Sequence, residues 1–260
     1  MKNYFIIGTV IFFQVNVQAL SYLNNWTRVS FPERQNMSPQ NRLLANLEHL
    51  SALMKNDSAT SVYDHKNIID QTKEIRHHIR MNCYGFASYI IHKTHPEAFA
   101  EIYQSMQRMS PRIPLSCDDI PNPYHYIQAL KTKRLKYWSL VHSLKSCQPG
   151  DILAYMPENF RLQKKPTFKG GALYGTHLMF ANHYYGCADN FYHHFNIIDC
   201  TRRPHSRQYD SRWPDKKNAI GLSSIFIKPL ATNKKVMIRW SFTSPYIHYK
   251  KLYILRLNAS

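Results

Sequence analysis

Three residues have the types that thiol-based acyl transfer needs: Cys83, His177 and Asp199. Cys83 follows Asn82, a competent helix N-cap, and opens an apolar run. Amides at a helix start stabilise a thiolate and lower a thiol pKa below the usual value of about 8.5. Gly85, two residues on, lets a substrate approach the backbone closely. The competing role is structural, because cysteine is among the most buried residue types. His177 lies in Gly175-Thr176-His177-Leu178-Met179-Phe180, at the head of a strand-like segment just past a glycine turn. An imidazole there would take the thiol proton and return it to a leaving group. With 14 histidines in the chain, residue type alone does not select it. Asp199 closes the next strand-like segment, Phe195 to Asp199. On a neighbouring antiparallel strand it would fix the imidazole tautomer and stabilise the imidazolium. Its competing role is to cap the turn at Cys200-Thr201.

The order is cysteine on a helix, histidine on a strand, polar partner on the next strand. With its local motifs, that order resembles the NlpC-type branch of papain-like cysteine peptidases, over roughly Asn82 to Pro229. Asn82-Cys83-Tyr84-Gly85-Phe86-Ala87 is similar to the family's Asp-Cys-Ser-Gly-Phe motif, with Asn82 and Tyr84 as departures. Gln148-Pro149-Gly150-Asp151-Ile152-Leu153 resembles its Pro-Gly-Asp strand, and Gly175 to Met179 its Gly-His-Val strand. Ile197-Ile198-Asp199-Cys200-Thr201, Pro204-His205, Asp210-Ser211-Arg212 and Ile220-Gly221-Leu222 resemble a bacterial subgroup. That subgroup reads Val-Ile-Asp-Ser-Thr, Pro-His, Asp-Thr-Arg and a Gly-rich strand.

The resemblance implies an NlpC-type, papain-like α+β fold with Cys83 as nucleophile, His177 as base and Asp199 as orienting acid. It implies cleavage of amide bonds in the stem peptides of peptidoglycan, with neither metal nor cofactor. Tyr84 and Thr176 beside the catalytic residues, and His205 and Arg212 further on, are the candidate substrate-binding residues. His205 and Arg212 would meet stem-peptide carboxylates, or else serve as structural ion-pair partners. Tyr84 enlarges the position beside the nucleophile and would reshape the pocket.

The elements that must position these groups follow from periodicity. Ser38-Pro39 reads as an N-cap and first helical residue, followed by Leu43, Leu44, Leu47, Leu50, Leu53 and Met54 at helical spacing. A second helix is expected over Asp64 to Ile79, from Ile68, Ile69, Ile75 and Ile79. A third is expected over Asn82 to Thr94, and Pro111 to Trp138 reads as loop with helical pieces. After Gly150 the texture becomes strand-like: Asp151–Tyr155, His177–Ala181, Phe195–Asp199, Ser224–Lys228 and Val236–Phe242. Helices first and antiparallel strands after them imply α+β, with N-terminal helices packed on an antiparallel sheet. The implied division is a signal segment over 1–19, a helical extension over 20–81 and a hydrolase domain over 82–260.

The signal reading rests on Lys2, the apolar run Tyr4 to Phe13, and the small-residue exit Val17-Gln18-Ala19. Its alternatives are a buried first helix and an uncleaved anchor. Cleavage leaves about 240 residues, which suits one domain with an extension. The protein is therefore expected outside the cytoplasm, periplasmic or secreted, and as a monomer. Lys plus Arg is 34 against 16 Asp plus Glu, a net charge of +18 that favours anionic glycans and membrane surfaces. The positive charge is scattered, which argues against a specific nucleic-acid interface. Five cysteines in an oxidising compartment leave one thiol over, expected to be Cys83, with pairs among Cys117, Cys147, Cys187 and Cys200. No C-x-x-C occurs, and the pairs His77-His78 and His193-His194 are adjacent, so a zinc site has little support. Three classes stay open: a cell-wall cysteine amidase or peptidase, an acyltransferase or effector on the same fold, and a disulfide-held binding module.

Overall fold

Helix α1 (Pro39–Lys55) starts where the sequence signals it should. Ser38 accepts the Asn41 N–H through its Oγ at 3.2 Å and the Arg42 N–H through its carbonyl at 2.9 Å. The computed structural model describes residues 37–55, 59–63, 68–71, 77–109, 120–132, 134–158, 175–188, 191–213, 218–230 and 234–258. The signal-like segment and Cys117 fall outside them. Among the described residues no helix is long and apolar enough to cross a membrane.

The remaining elements are β1 (Ala59–Tyr63), β2 (Ile68–Gln71), β3 (His77–Met81), α2 (Cys83–Thr94), α3 (Pro96–Met109), α4 (Pro123–Thr132) and β4 (Trp138–Val141). They are followed by β5 (Ile152–Pro157), β6 (His177–Ala188), β7 (Tyr192–Cys200), β8 (Ile220–Pro229), β9 (Lys235–Arg239) and β10 (His248–Leu257). The protein is α+β. Strands run in the order β4-β10-β5-β6-β7-β8-β9, and a further β10–β9 pairing closes β5 to β10 into an antiparallel barrel. β10 closes it by pairing β9 along its first half and β4 along its second.

Alternation along each strand sorts two cores. Leu153, Met179, Ala181, Phe195, Ile197, Ile225, Ile227, Val236, Ile238, Leu252 and Ile254 form the cluster inside the barrel. Ile152, Ala154, Leu178, Phe180, Ile198, Cys200, Tyr253 and Leu255 point the other way, onto the helices. α2 is buried almost all round, from Cys83 to Ile91, which marks it as the central helix. α1 adds Leu43, Leu47 and Leu50 to that same helix-facing core.

The Pro-Gly-Asp segment has a structural role. Gly150 sits at φ +88°, and an added Cβ there would lie 2.9 Å from Gln40 Cγ. Asp151 accepts from Arg256 Nε and Nη2 at 2.9 and 2.8 Å and from the Gln148 N–H at 2.8 Å, tying the start of β5 to β10.

The helix expected over Asp64 to Ile79 is not formed. Ile68 and Ile69 lie in β2 and Ile79 in β3, while 64–67 and 72–76 lie outside the described residues. β3 pairs in parallel with β1 and antiparallel with β2. β-Branched isoleucines at helical spacing are equally suited to strands, and a distant partner, β1, decided the matter. β1 in turn is pinned to the barrel: the Ala219 and Ile220 N–H groups both donate to Ser61 Oγ at 3.0 Å.

Candidate active site

Cys83 is the first residue of α2. Asn82 caps the helix with an extended backbone, accepting the Gly85 N–H through Oδ1 at 2.8 Å and the Phe86 N–H through its carbonyl at 2.9 Å. A neutral cap satisfies these amides without setting a negative charge against a thiolate. The helix geometry leaves the Cys83 N–H without an intrahelical acceptor. Three residues on, the Phe86 ring meets Phe180 edge-on at 5.8 Å, which seats α2 on β6. The Cys83 side chain lies close enough to His177 to hydrogen-bond with it.

His177 heads β6 and Asp199 lies near the end of β7. In the register Met179 faces Asp199, so His177 and Asp199 are diagonal neighbours on the barrel-facing side. His177 also faces Tyr155 directly across β5, with the ring centroids 5.7 Å apart. His177 Nε2 lies 2.6 Å from Asp199 Oδ2. An ionised carboxylate only accepts, so Nε2 carries the hydrogen and Nδ1 is left for the thiol. Burial alone would lower the His177 pKa. The electrostatic interaction with Cys83, together with hydrogen bonds to Asp199 and Cys83, overcomes it and raises the value to about 10. His177 is therefore held as an imidazolium beside a sulfur.

Asp199 is fully buried and has three cationic or hydrogen-bonding neighbours. His205 Nε2 donates to the same Oδ2 at 2.7 Å, and Arg212 Nη1 stands 2.9 Å from Oδ1. The Arg212 contact is charge against charge rather than an aligned hydrogen bond, because Nη1 donates to the Ala219 carbonyl at 2.9 Å. Burial would push the Asp199 pKa up, but Arg212 first, then His205 and His177, hold it well below the ordinary 3.8. His205 moves the opposite way from His177: burial lowers its pKa, and Asp199 only partly compensates. One carboxylate thus serves a charged imidazole and a neutral one.

Arg212 and His205 are held from behind. Arg212 Nε and Nη2 each donate to Asp210 at 2.7 Å in a bidentate pair. The His205 N–H also donates to Asp210, at 2.7 Å. The His205 ring lies flat on Trp240, with centroids 3.5 Å apart and planes 3° apart. Gly221 faces Asp199 across β7 and β8, and its missing side chain makes room for the Arg212 stem. The sequence reading left His205 and Arg212 open between substrate contact and ion pairing. Arg212, with its side chain 1% exposed, is an ion-pair partner of Asp199 and Asp210. His205 is a hydrogen-bond partner of Asp199. Tyr84 is buried beside Cys83, and Thr176 is half-buried ahead of β6.

His177, Asp199 and His205 offer three atoms within 4.8 Å, a set that could in principle hold a metal ion. Arg212 argues against it, since its guanidinium already neutralises the carboxylate that an ion would need.

Cys83, Cys147, Cys187 and Cys200 are all free, which corrects the expectation of pairing among the last three. The sheet separates them: Cys147 belongs to the barrel core, Cys200 to the helix-facing core, and Cys187 is exposed. Burial pushes the Cys147 and Cys200 thiols up, and Cys200 Sγ points at the Met81 carbonyl at 3.1 Å. Exposure alone would favour Cys187, since Cys83 is only 4% exposed; what distinguishes Cys83 is the imidazole beside it.

Sequence reasoning missed Tyr155, Trp240 and Lys250 as neighbours of the site. Tyr155 lies in the strand that the Pro-Gly-Asp motif opens, but its place opposite His177 is a matter of register, and Trp240 and Lys250 lie beside or on strands with no local motif around them. A cleft of about 290 Å³, lined by His142, Lys145, His193 and Lys234 among others, lies at the other end of β7 and β8 and touches none of these residues. No protein-family model, curated protein or solved structure matches the chain.

Proposed function

We propose that the protein is a cysteine hydrolase that cleaves an amide bond, with Cys83 as nucleophile, His177 as acid and base, and Asp199 as the group that orients His177. The observation that carries this reading is the buried His177–Asp199 contact of 2.6 Å beside a helix-start cysteine that raises the His177 pKa. Cys83 Sγ attacks the carbonyl carbon, and the Cys83 N–H is positioned to stabilise the oxyanion. The imidazolium gives its Nδ1 proton to the leaving amine as the C–N bond breaks, leaving a thioester. Neutral His177 then takes a proton from water. The hydroxide adds to the thioester, the C–S bond breaks, and the acid departs with the thiolate–imidazolium pair restored.

The substrate class rests on the motif resemblance to NlpC-type peptidases and on charge. A protein of net charge +18 suits the anionic wall, and stem peptides carry carboxylates. Export to the periplasm or beyond is part of this proposal, supported by the Lys2 to Ala19 pattern.

Digestion of muropeptides followed by mass analysis tests it. Wild type should release products, and Cys83→Ala should release none while melting as wild type does. Equal cleavage by Cys83→Ala would remove the nucleophile assignment. Intact muropeptides with wild type would remove the wall substrate.

A further inference from the structure

The barrel mouth holds a cation that the proposed chemistry does not use. Lys250 lies on β10 opposite Pro157 of β5 and shares the barrel-facing side with Leu252 and Ile254, as Tyr155 and His177 do on their strands. Its Nζ donates to the Gly175 carbonyl at 3.1 Å, two residues before His177. It also stands 5.5 Å from the centroid of the Tyr155 ring, which in turn faces His177. Lys250 is therefore one ring away from the imidazole that would protonate the leaving group.

Three facts set this lysine apart from the other basic residues of the mouth. It is half-buried, and burial lowers its pKa, as expected of an ammonium deprived of water. Among the described residues no carboxylate pairs with it. Glu158, the acid just after Pro157, is paired with Lys235 instead. An ammonium has three donor hydrogens, and the Gly175 carbonyl takes one. Arg212 differs in having acid partners, since Asp199 and Asp210 engage its guanidinium.

We propose that Lys250 is the carboxylate receptor of the substrate site, holding an acidic group of the peptide next to the bond that is cut. The inference rests on the reading of Cys83 and His177 as hydrolase residues, and it narrows the substrate to peptides with a free carboxylate near the scissile amide. A partly dehydrated ammonium without an acid partner gains most from an anion that brings its own charge. Arginine at this position would keep the charge, whereas methionine keeps the length and the packing on Tyr155 but loses the charge.

The test uses one stem peptide in two forms, with its glutamyl carboxylate free and converted to the carboxamide. Wild type should show a kcat/KM ratio of tenfold or more in favour of the free acid. Lys250→Met should bring that ratio below about twofold, and Lys250→Arg should restore most of it. Calorimetric binding of both peptides to the Cys83→Ala protein, with and without Lys250→Met, reads recognition without turnover. A carboxylate preference that Lys250→Met abolishes supports the receptor even if wild type cleaves neither peptide, in which case only the hydrolase reading falls. A ratio that survives Lys250→Met, in turnover or in binding, overturns the receptor, because a lysine that merely holds the Gly175 turn would affect both peptides alike.

Discussion

Gly221→Ala is a one-carbon test of how Asp199 is kept in place. A Cβ at Gly221 would lie 2.7 Å from Arg212 Cγ, 2.8 Å from Ser211 Oγ and 2.9 Å from Arg212 Cδ. All three distances are shorter than real Cβ contacts, and two involve the stem of a side chain clamped at both ends. Arg212 cannot swing aside without losing its bidentate pair with Asp210 or its contact with Asp199. Overpacking a filled interior costs about 1–3 kcal/mol, and loosening a buried ion pair adds to that. A destabilisation of roughly 2–4 kcal/mol is therefore expected from these two costs together. Urea unfolding at pH 7 measures it, as a drop in midpoint with an unchanged slope. The alkaline limb of activity should also shift, because a displaced Arg212 changes the charge balance around the carboxylate that holds His177. A change below about 0.5 kcal/mol, the size of an ordinary surface substitution, with an unmoved limb would refute the packing argument.

Further outcomes follow from the same network. Arg212→Lys should destabilise the protein by about 3 kcal/mol, since an ammonium cannot form the bidentate pair and leaves Asp210 undersatisfied; thermal and urea unfolding read this. In wild type, kcat/KM should fall as pH rises through about 10, where the His177 imidazolium is lost. Asp199→Asn should move that limb to lower pH, because it removes an interaction that raises the His177 pKa. Stability should follow the same groups: the His177 contribution is fully present below its ordinary value of 6.5 and is lost as pH rises through about 10. The Asp199 contribution is present above 3.8 and is lost as pH falls toward its depressed value, which pH-dependent unfolding would show.

The local signals proved readable where a residue type and its neighbour determine the outcome. Ser38-Pro39 and Asn82-Cys83 mark helix starts, and alternation after Gly150 marks strands; the structure extends β6 well past Ala181 but ends β9 at Arg239, short of the expected Phe242. The helix expected over Asp64 to Ile79 failed because β1 supplied a parallel partner that no local pattern reveals. α3 and β10 were likewise not read. β10 carries Tyr249-Lys250-Lys251, a polar run whose strand character depends on pairing with β5 and β9 at once. The site shows the same division. Cys83, His177 and Asp199 could be read as candidates from type and order. That Arg212 is buried against Asp199 follows from Gly221 lying opposite that residue, which is a fact of register.

The central claim is that a substrate acyl group rests on Cys83 sulfur. Rapid acid quench of wild type with a stem peptide, followed by intact-protein and fragment mass analysis, tests it most directly. The account predicts a mass increase equal to the acyl part of the substrate, located on Cys83, absent in Cys83→Ala and accumulating less in His177→Ala. Turnover with the acyl group on another residue, or product formation by Cys83→Ala at the wild-type rate, would contradict it.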